Sequence, residues 1–364
     1  MIRQLAKLKN DIHDYRIFKK RRYISNKKFK KIVADNSQFK DSIDKKFEEQ
    51  AVSYWENRFG IKLNPLWHHI YAYASGVKDV TYIPDDLFIS KFIYNLNRMD
   101  LRLPFADKNN TDLFLDNVKQ PKIMLKNING HFYDTNSEVI NFDEARNTLT
   151  ENGKYIVKPS IDSGSGRGIR LIYVKDNKMF LNDKAVKFED IHKLYKKDYL
   201  IQEFLHQGEV LGKFHPESIN TLRVISLNVK DEIVFPSTVV RFGSSGAYTD
   251  NFGTDGLSCG INEYGELNDT GLDSKFNSVN KHPDTQVPFK GTVIPNYSKL
   301  LDYLEGLHKK LPYFNCLSWD IAIDKNNEFV LIEINNGFQG INLHQINNGP
   351  VFKPYIDYIV TGEL

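Results

Sequence analysis

At 364 residues the chain has room for two or three domains, and its 41% apolar and 26% charged content is that of a soluble globular protein. Its two cysteines, Cys259 and Cys316, lie far apart without metal spacing, which excludes a disulfide framework and a zinc knuckle and fits a reducing cytosol. The net charge of +3 is uneven: residues 1–31 hold 12 Lys or Arg against Asp11 and Asp14, so that segment is about +10 and the remainder about −7.

The run "KKRRYISNKKFKK" (19–31) carries most of that charge. It reads either as a solvated helix and loop or as a surface for anionic lipid, nucleic acid or a polyanionic glycan. No base-reading motif accompanies it. No uncharged apolar run reaches the length of a membrane span, and the N-terminus lacks an apolar leader core, so a cytoplasmic protein is expected. Residues 1–105 predict a mainly helical region. In "DSIDKKFEEQAVSYWENRF", Ile43, Phe47, Ala51 and Tyr54 recur at helical spacing. "DDLFISKFIYNLNRM" repeats the pattern, with Asp85 or Asp86 as N-cap. His68 and His69 are neighbours, so on a helix they point about 100° apart and cannot chelate one ion together. They read as packing or hydrogen-bonding residues.

From 106 to 200 the pattern turns to strands. "PKIMLKN" and "NGHFYD" predict short strands about a turn. "YIVKPSIDSGSGRGIRLI" (155–172) then runs from an apolar strand through Lys158 and a glycine-rich loop into a second β-branched strand. In a P-loop the lysine follows the glycines and opens a helix. In a dinucleotide turn the glycines open a helix. In a protein kinase the lysine lies on the strand after the loop. Here Lys158 precedes the glycines and a strand follows, so a hairpin remains, tipped by a lid of backbone N–H groups. Glycine brings that backbone close to an anion without a Cβ clash. "KMFLND" predicts a strand, "KFEDIHKLYKK" a helix and "YLIQEFL" another strand.

Beyond 201, "NTLRVISLNV", "EIVFPSTVVRF" and "GLSCGIN" predict strands, and the Gly-, Ser- and Asp-rich stretch 242–256 an active-site loop. The helix "NYSKLLDYLEGLHKKL" precedes the strands "SWDIAID" and "EFVLIEIN", joined by a turn at Asp324 to Asn327. Residues i and i+2 of a strand share a face, so Glu333 and Asn335 project together, and the short turn brings Asp320 beside them. Three hard oxygen ligands on an otherwise apolar hairpin suit Mg²⁺, where unpaired buried carboxylates are costly.

A lysine strand, a glycine lid and a carboxylate hairpin together resemble the ATP-grasp superfamily, and the C-terminal two thirds is similar to its sugar-transfer-associated members, found with bacterial surface-polysaccharide genes. The matching residues, in order, are Asp107 and Lys108, "VKPS" with "GSGRG" (157–168), "IQEFLHQGE" (201–209), "INTLRV" (219–224), "DNFGTDGL" (250–257), "HPD" (282–284), and "WDIAI" with "LIEINNG". The resemblance implies an α+β fold of two subdomains clasping ATP, a lid over 106–200 and a metal-bearing subdomain over 201–364, behind the helical region 1–105. It implies that Lys108 and Lys158 face the phosphates under the lid residues Ser163, Gly164, Ser165, Gly166, Arg167 and Gly168. Gln202, Glu203, Phe204 and Leu205 would read adenine, with Phe204 packing on the ring, and Glu209 the ribose. Asp320, Glu333 and Asn335 would hold one or two Mg²⁺ ions. Arg223 would face the γ-phosphate or acyl phosphate, and Arg241 with Arg167 an anionic group. His282 reads either as a substrate-side residue or as turn chemistry.

Enzymes of this resemblance join a carboxylate to an amine or thiol through an acyl phosphate. The expected activity is therefore an ATP-dependent carboxylate–amine ligase acting on a sugar or glycan precursor. A kinase is the alternative, with Asp250 or Asp255 as base. A nucleotide-binding assembly factor is another, with the basic arm as a docking element for glycan machinery or an anionic membrane. No Ser-His-Asp or Cys-His signature competes, and the helical N-terminal third leaves acceptor specificity open.

Overall fold

The computed structural model describes residues 42–161, 166–181, 183–244, 250 and 256–363, with scattered positions between 16 and 39. Two antiparallel sheets organise it. The first holds β1 (Ile123–Ile128), β2 (His131–Tyr133), β3 (Val139–Ile140), β4 (Gly153–Pro159), β5 (Arg170–Lys175), β6 (Lys178–Leu181), β7 (Lys184–Val186) and β8 (Tyr199–Glu203), ordered β3-β2-β1-β8-β4-β5-β6-β7. The second holds β9 (Thr221–Val229), β10 (Glu232–Phe242), β11 (Leu257–Ile261), β12 (Leu267–Leu272), β13 (Ser278–Val279), β14 (Cys316–Ile323) and β15 (Phe329–Asn335), ordered β13-β12-β11-β10-β9-β14-β15. A mixed α and β fold with a helical N-terminal region is what the sequence leads one to expect.

Period-two alternation sorts each strand's residues. On β4 and β8, Tyr155, Val157, Tyr199 and Ile201 enter an apolar core with Phe188 and Ile191 of a helix at Phe188–Tyr195. The intervening Lys158 and Gln202 therefore lie on the opposite face. In the second sheet, Leu222, Val224, Leu317, Trp319 and Ile321 pack with Leu300 and Leu304 of the helix Tyr297–Lys309. The other face carries Arg223 and Asp320, flanked by Ile225, Leu227 and Cys316. These three join Trp55, Phe88 and Phe92 of the N-terminal helices in one core, so the helical region covers part of the charged sheet face.

α1 (Lys45–Phe59) is capped by Asp44, whose carboxylate accepts from Phe47 N, and α2 (Leu66–Ser75) follows. Ile43 precedes the helix and is exposed; the buried stripe is Phe47, Ala51 and Trp55, with Tyr54 only half-buried. His68 and His69 do separate: His68 Nε2 meets Val80 O at 3.1 Å, and His69 Nε2 lies 3.0 Å from Glu48. Asp85 and Asp86 are not N-caps. Pro84 holds that position, and both carboxylates are buried partners of other segments. Asp85 accepts from Ser25 Oγ at 3.2 Å and Ile341 N at 3.1 Å; Asp86 accepts from Arg22 Nε at 2.8 Å and Asn26 Nδ2 at 3.2 Å. Part of the basic run thus faces inward, while Lys19, Lys20, Lys27 and Lys30 are exposed.

Two segments, the β8–β9 connection between the sheets and the stretch that leads from the helical region into β1, are stitched to the turn of the β14–β15 hairpin. Gly208 N donates to Ile323 O at 2.8 Å and Lys325 N to His206 O at 3.1 Å. A Cβ on Gly208 would collide with the Asp324 carbonyl, so only glycine passes there. From the stretch before β1, Lys119 Nζ reaches Asp324 at 2.7 Å and Lys119 O accepts from Leu331 N at 2.8 Å.

Candidate active site

The two sheets meet over a narrow crevice whose walls include Lys108, Lys158, Gln202, Leu331, Ile332 and Glu333. Backbone pairing brings the lysines together: Lys108 N donates to Ser160 O at 3.1 Å, two residues beyond Lys158. Lys108 Nζ reaches Glu333 Oε1 at 3.1 Å, an ion pair across the crevice. Lys158 is 5% exposed. Burial, then the Lys108 charge, pushes its ammonium down to about 7, with Glu333 opposing.

Asp320 is the cross-strand partner of both Glu333 on β15 and Arg223 on β9. One row therefore runs Val239, Arg223, Asp320, Glu333 on a single face. Arg223 binds Asp320 in a fork, Nε to Oδ1 at 2.8 Å and Nη2 to Oδ2 at 2.7 Å. Arg241 Nη2 adds a bond to Asp320 Oδ2 at 3.0 Å, lies 3.1 Å from Asp250 Oδ2 and donates to Thr221 Oγ1 at 2.8 Å. Burial would raise the Asp320 carboxyl, but Arg223 and then Arg241 hold it below the usual carboxylate range. Asp250 is instead raised by burial, which Arg241 opposes and the Asp320 charge reinforces.

The backbone behind this row is fixed by a buried polar knot. Asn220 Nδ2 donates to Leu211 O and His215 O, both at 2.9 Å, and its Oδ1 accepts from Gly243 N at 3.1 Å. Thr221 and Arg241 follow and precede those anchors. His282 belongs to the same scaffold: Nε2 meets Gly243 O at 2.9 Å and Nδ1 accepts from Asp284 N at 3.3 Å. With both ring nitrogens taken by backbone, it is turn chemistry rather than a substrate residue.

The sequence-derived candidates do not all fall in one place. Lys108, Lys158, Gln202 and Glu333 line the crevice, and Arg223, Arg241 and Asp320 form a charged cluster beside it. Asn335 lies one cross-strand step away, opposite Ser318. Phe204 and Leu205 lie past the end of β8 rather than within it, and Phe204 N bonds Lys154 O at 3.1 Å. Glu203 is exposed near Lys122, and Glu209, also exposed, opens a turn of helix, Glu209–Gly212. Gly166 and Gly168 take φ of +68° and +79° at the lid base, where Arg167 is exposed. Ser163, Gly164, Ser165 and Asp255 lie outside the described residues. Sequence reasoning missed Thr221, which bridges Arg241 and Asp250, although it adjoins Arg223 in "INTLRV".

The donor set at Asp320, Glu333 and Asn335 fits Mg²⁺. All offer hard oxygens, and Asp320 Oδ1 takes a single hydrogen bond among the described residues. Among the described residues, no three His, Cys, Asp or Glu side chains converge as a metal cluster, so such an ion would draw its remaining ligands from phosphate and water.

An ATP-grasp protein is the class that a pair of sheets clasping such a crevice defines. The family model described as sugar-transfer associated ATP-grasp matches residues 87–360, and the chain belongs to that family. Among solved structures the chain is similar to D-alanyl-alanine synthetase A from Vibrio cholerae O1 biovar eltor, at 13% identity over 71% of this chain and 65% of that one, with a TM-score of 0.40. It is also similar to N5-carboxyaminoimidazole synthetase from Staphylococcus aureus complexed with ADP (12% identity, 72% and 52%, TM-score 0.38). A third is an L-amino acid ligase from Bacillus licheniformis (11% identity, 64% and 41%, TM-score 0.33). The chain thus spans between 41% and 65% of the length of these three. No curated protein matches the sequence.

Proposed function

We propose that the protein is an ATP- and Mg²⁺-dependent ligase that activates a carboxylate as an acyl phosphate and couples it to an amine, on a sugar or glycan precursor of surface-polysaccharide synthesis. The observation that carries this reading is the crevice itself: two lysines from one side and Glu333 from the other, 3.1 Å from Lys108, beside Asp320 and its two arginines. In this reading Lys108 and Lys158 meet the nucleotide phosphates. The chain from Gln202 to Leu205 meets adenine, Glu209 the ribose, and the lid 163–168 folds over the phosphates. Asp320, Glu333 and Asn335 would hold Mg²⁺, which when bound offsets phosphate charge. Arg223 and Arg241 stabilise charge that develops on the transferred phosphoryl group. The carboxylate oxygen attacks the γ-phosphorus and ADP leaves; the amine then attacks the acyl carbon and phosphate leaves.

The kinase reading needs a base at the acceptor hydroxyl. Asp250 is taken up by Arg241 and Thr221, which does not favour it. A pure assembly factor has no use for a buried lysine pair. No helix among the described residues is long and apolar enough to cross a membrane. The face bearing Lys19, Lys20, Lys27 and Lys30 is the one we assign to a peripheral contact with an anionic membrane from the cytoplasmic side. Product analysis tests the central reading. Phosphate release that requires both a carboxylate and an amine supports the ligase; a stable phosphorylated sugar means a kinase; tight ATP binding without turnover means a scaffold.

A further inference from the structure

Ser237 lies on the charged face of the second sheet, and its hydroxyl has two neighbours. Asn348 Nδ2 donates to it at 2.8 Å, and His344 Nδ1 lies at 3.0 Å. The Asn348 amide cannot be turned round, because the same Nδ2 also donates to Thr238 O at 3.0 Å and Oδ1 accepts from Asn268 Nδ2 at 3.1 Å. Ser237 receives that bond and keeps one proton to give, for which His344 Nδ1 is an acceptor within reach. An imidazole that accepts at Nδ1 carries its proton at Nε2. His344 is 0% exposed, and that Nε2 has no partner among the described residues. Burial, then Arg223, pushes its basicity down to about 3, with Asp320 opposing, so the ring offers an uncharged N–H.

The setting decides what such a donor is for. His344 belongs to the helix Asn342–Asn348, which lies over β10 and β11 on the charged side: a Cβ on Gly260, opposite Val239 in the row of Arg223, would collide with Asn348. The adjacent cross-strand row runs Ser237, Ile225, Ser318, Asn335. In it Ser318 Oγ and Asn335 Nδ2 are also buried without partners among the described residues. Arg223 and Arg241 bond through Nε and Nη2, and Nη1 of each makes no hydrogen bond among the described residues. Unmet donors gathered beside two guanidinium groups call for a ligand of oxygen acceptors with negative charge.

We propose that His344, as its Nε2–H tautomer, donates to the carboxylate of an acidic sugar beside Arg223 and Arg241, and so selects that sugar over its neutral counterpart. This rests on the ligase reading and names the class of its carboxylate substrate. Full-length protein carrying ¹⁵N-labelled histidine tests it by NMR. Expected is an Nε2–H tautomer for His344, which Ser237→Ala shifts toward Nδ1–H. An Nδ1–H tautomer in the unmodified protein overturns the proposal. With a non-hydrolysable ATP analogue bound, D-glucuronate is expected to move the His344 resonances and to bind about tenfold or more tightly than D-glucose. His344→Leu should bring that ratio close to one, whereas His344→Gln, which retains an N–H, should preserve much of it; analogue affinity should hold in both. Equal binding of the two sugars by the unmodified protein overturns the proposal. Failure to bind the ATP analogue counts against the ligase reading instead, because the tautomer measurement needs no nucleotide.

Discussion

Arg223 and Asp320 are cross-strand partners joined by a two-pronged bond, with Glu333 next in the same row. The two carboxylates differ in what their loss does. Asp320 is buried under two guanidinium groups, and Asp320→Asn leaves those charges uncompensated. Breaking such a pair costs about 3–5 kcal/mol, so a large fall in the urea midpoint is expected. Glu333 has 28% of its side chain exposed. Glu333→Gln should leave the midpoint nearly unchanged while ATP turnover falls on the order of 10²-fold, for a lost term of about 3 kcal/mol. Unchanged Mg²⁺-dependent turnover in Glu333→Gln would remove Glu333 from the metal set.

Lys158 predicts a proton uptake. Its ammonium is depressed to about 7 in the folded chain from an ordinary value of 10.5. Between those values the unfolded chain binds the proton and the folded one does not, so stability rises with pH through that window and is lowest below it. Lys158→Met should flatten the rise, which spans up to about 5 kcal/mol. A polyphosphate arriving beside Lys158 restores the charge. At pH 8 the binding heat of an ATP analogue should therefore vary with the ionisation enthalpy of the buffer, by about one proton. Lys158→Met should weaken binding and remove that dependence, and Lys158→Arg should rescue binding poorly. A binding heat independent of buffer in the unmodified protein would place Lys158 away from the phosphates.

Gly168 predicts a lid defect without unfolding. Its φ is +79°, and a Cβ there would lie 2.9 Å from Pro159 Cγ. Gly168→Ala must shift the lid hairpin against Pro159, next to Lys158, at a conformational cost of about 1–2 kcal/mol. Calorimetry should show weaker analogue binding, with circular dichroism unaltered. Full affinity in this variant would mean that the lid base is not held by the nucleotide.

The basic arm predicts two separable effects. Arg22 reaches Asp86, whose side chain is 0% exposed, while Arg22 itself is 32% exposed. Arg22→Ala should therefore cost roughly 2 kcal/mol in chemical denaturation. Deleting residues 1–31 should destabilise the fold for the same reason, so it cannot serve as a clean test of docking. Changing exposed Lys19, Lys20, Lys27 and Lys30 to Ser should leave stability within about 0.5 kcal/mol yet abolish co-sedimentation with anionic liposomes. The unmodified protein should lose that binding as salt rises. Indifference to anionic liposomes at low salt would dismiss the membrane assignment.

What is legible in the sequence follows contact range. Asp320 and Glu333 can be paired from the text because a four-residue turn and period-two alternation set their register. Lys158 can be placed before the lid by the strand on either side. The Arg223–Asp320 fork spans 97 residues and depends on β9 pairing with β14, which no local pattern encodes. The same holds for Arg22 on Asp86, across 64 residues. Without that register, Asp85 and Asp86 look like helix caps, and a docked segment looks like a free arm. His344 and Thr221 are equally silent, since their roles rest on which sheet face a distant helix or strand covers.

The stitching of the β8–β9 connection and of the stretch before β1 to the Asp324 turn has a mechanical consequence. If the sheets part, that turn is the fulcrum, and β15 is the lever arm. From Glu328 to Glu333 the arm is about 17 Å, at about 3.4 Å per residue. A swing of roughly 10° would then carry Glu333 about 3 Å relative to the lysine wall, as much as the whole length of its contact with Lys108. Asp320 and Glu333 ride on the same hairpin and keep their spacing throughout. Opening would thus uncouple the lysines from the carboxylates while leaving the carboxylates in step with each other.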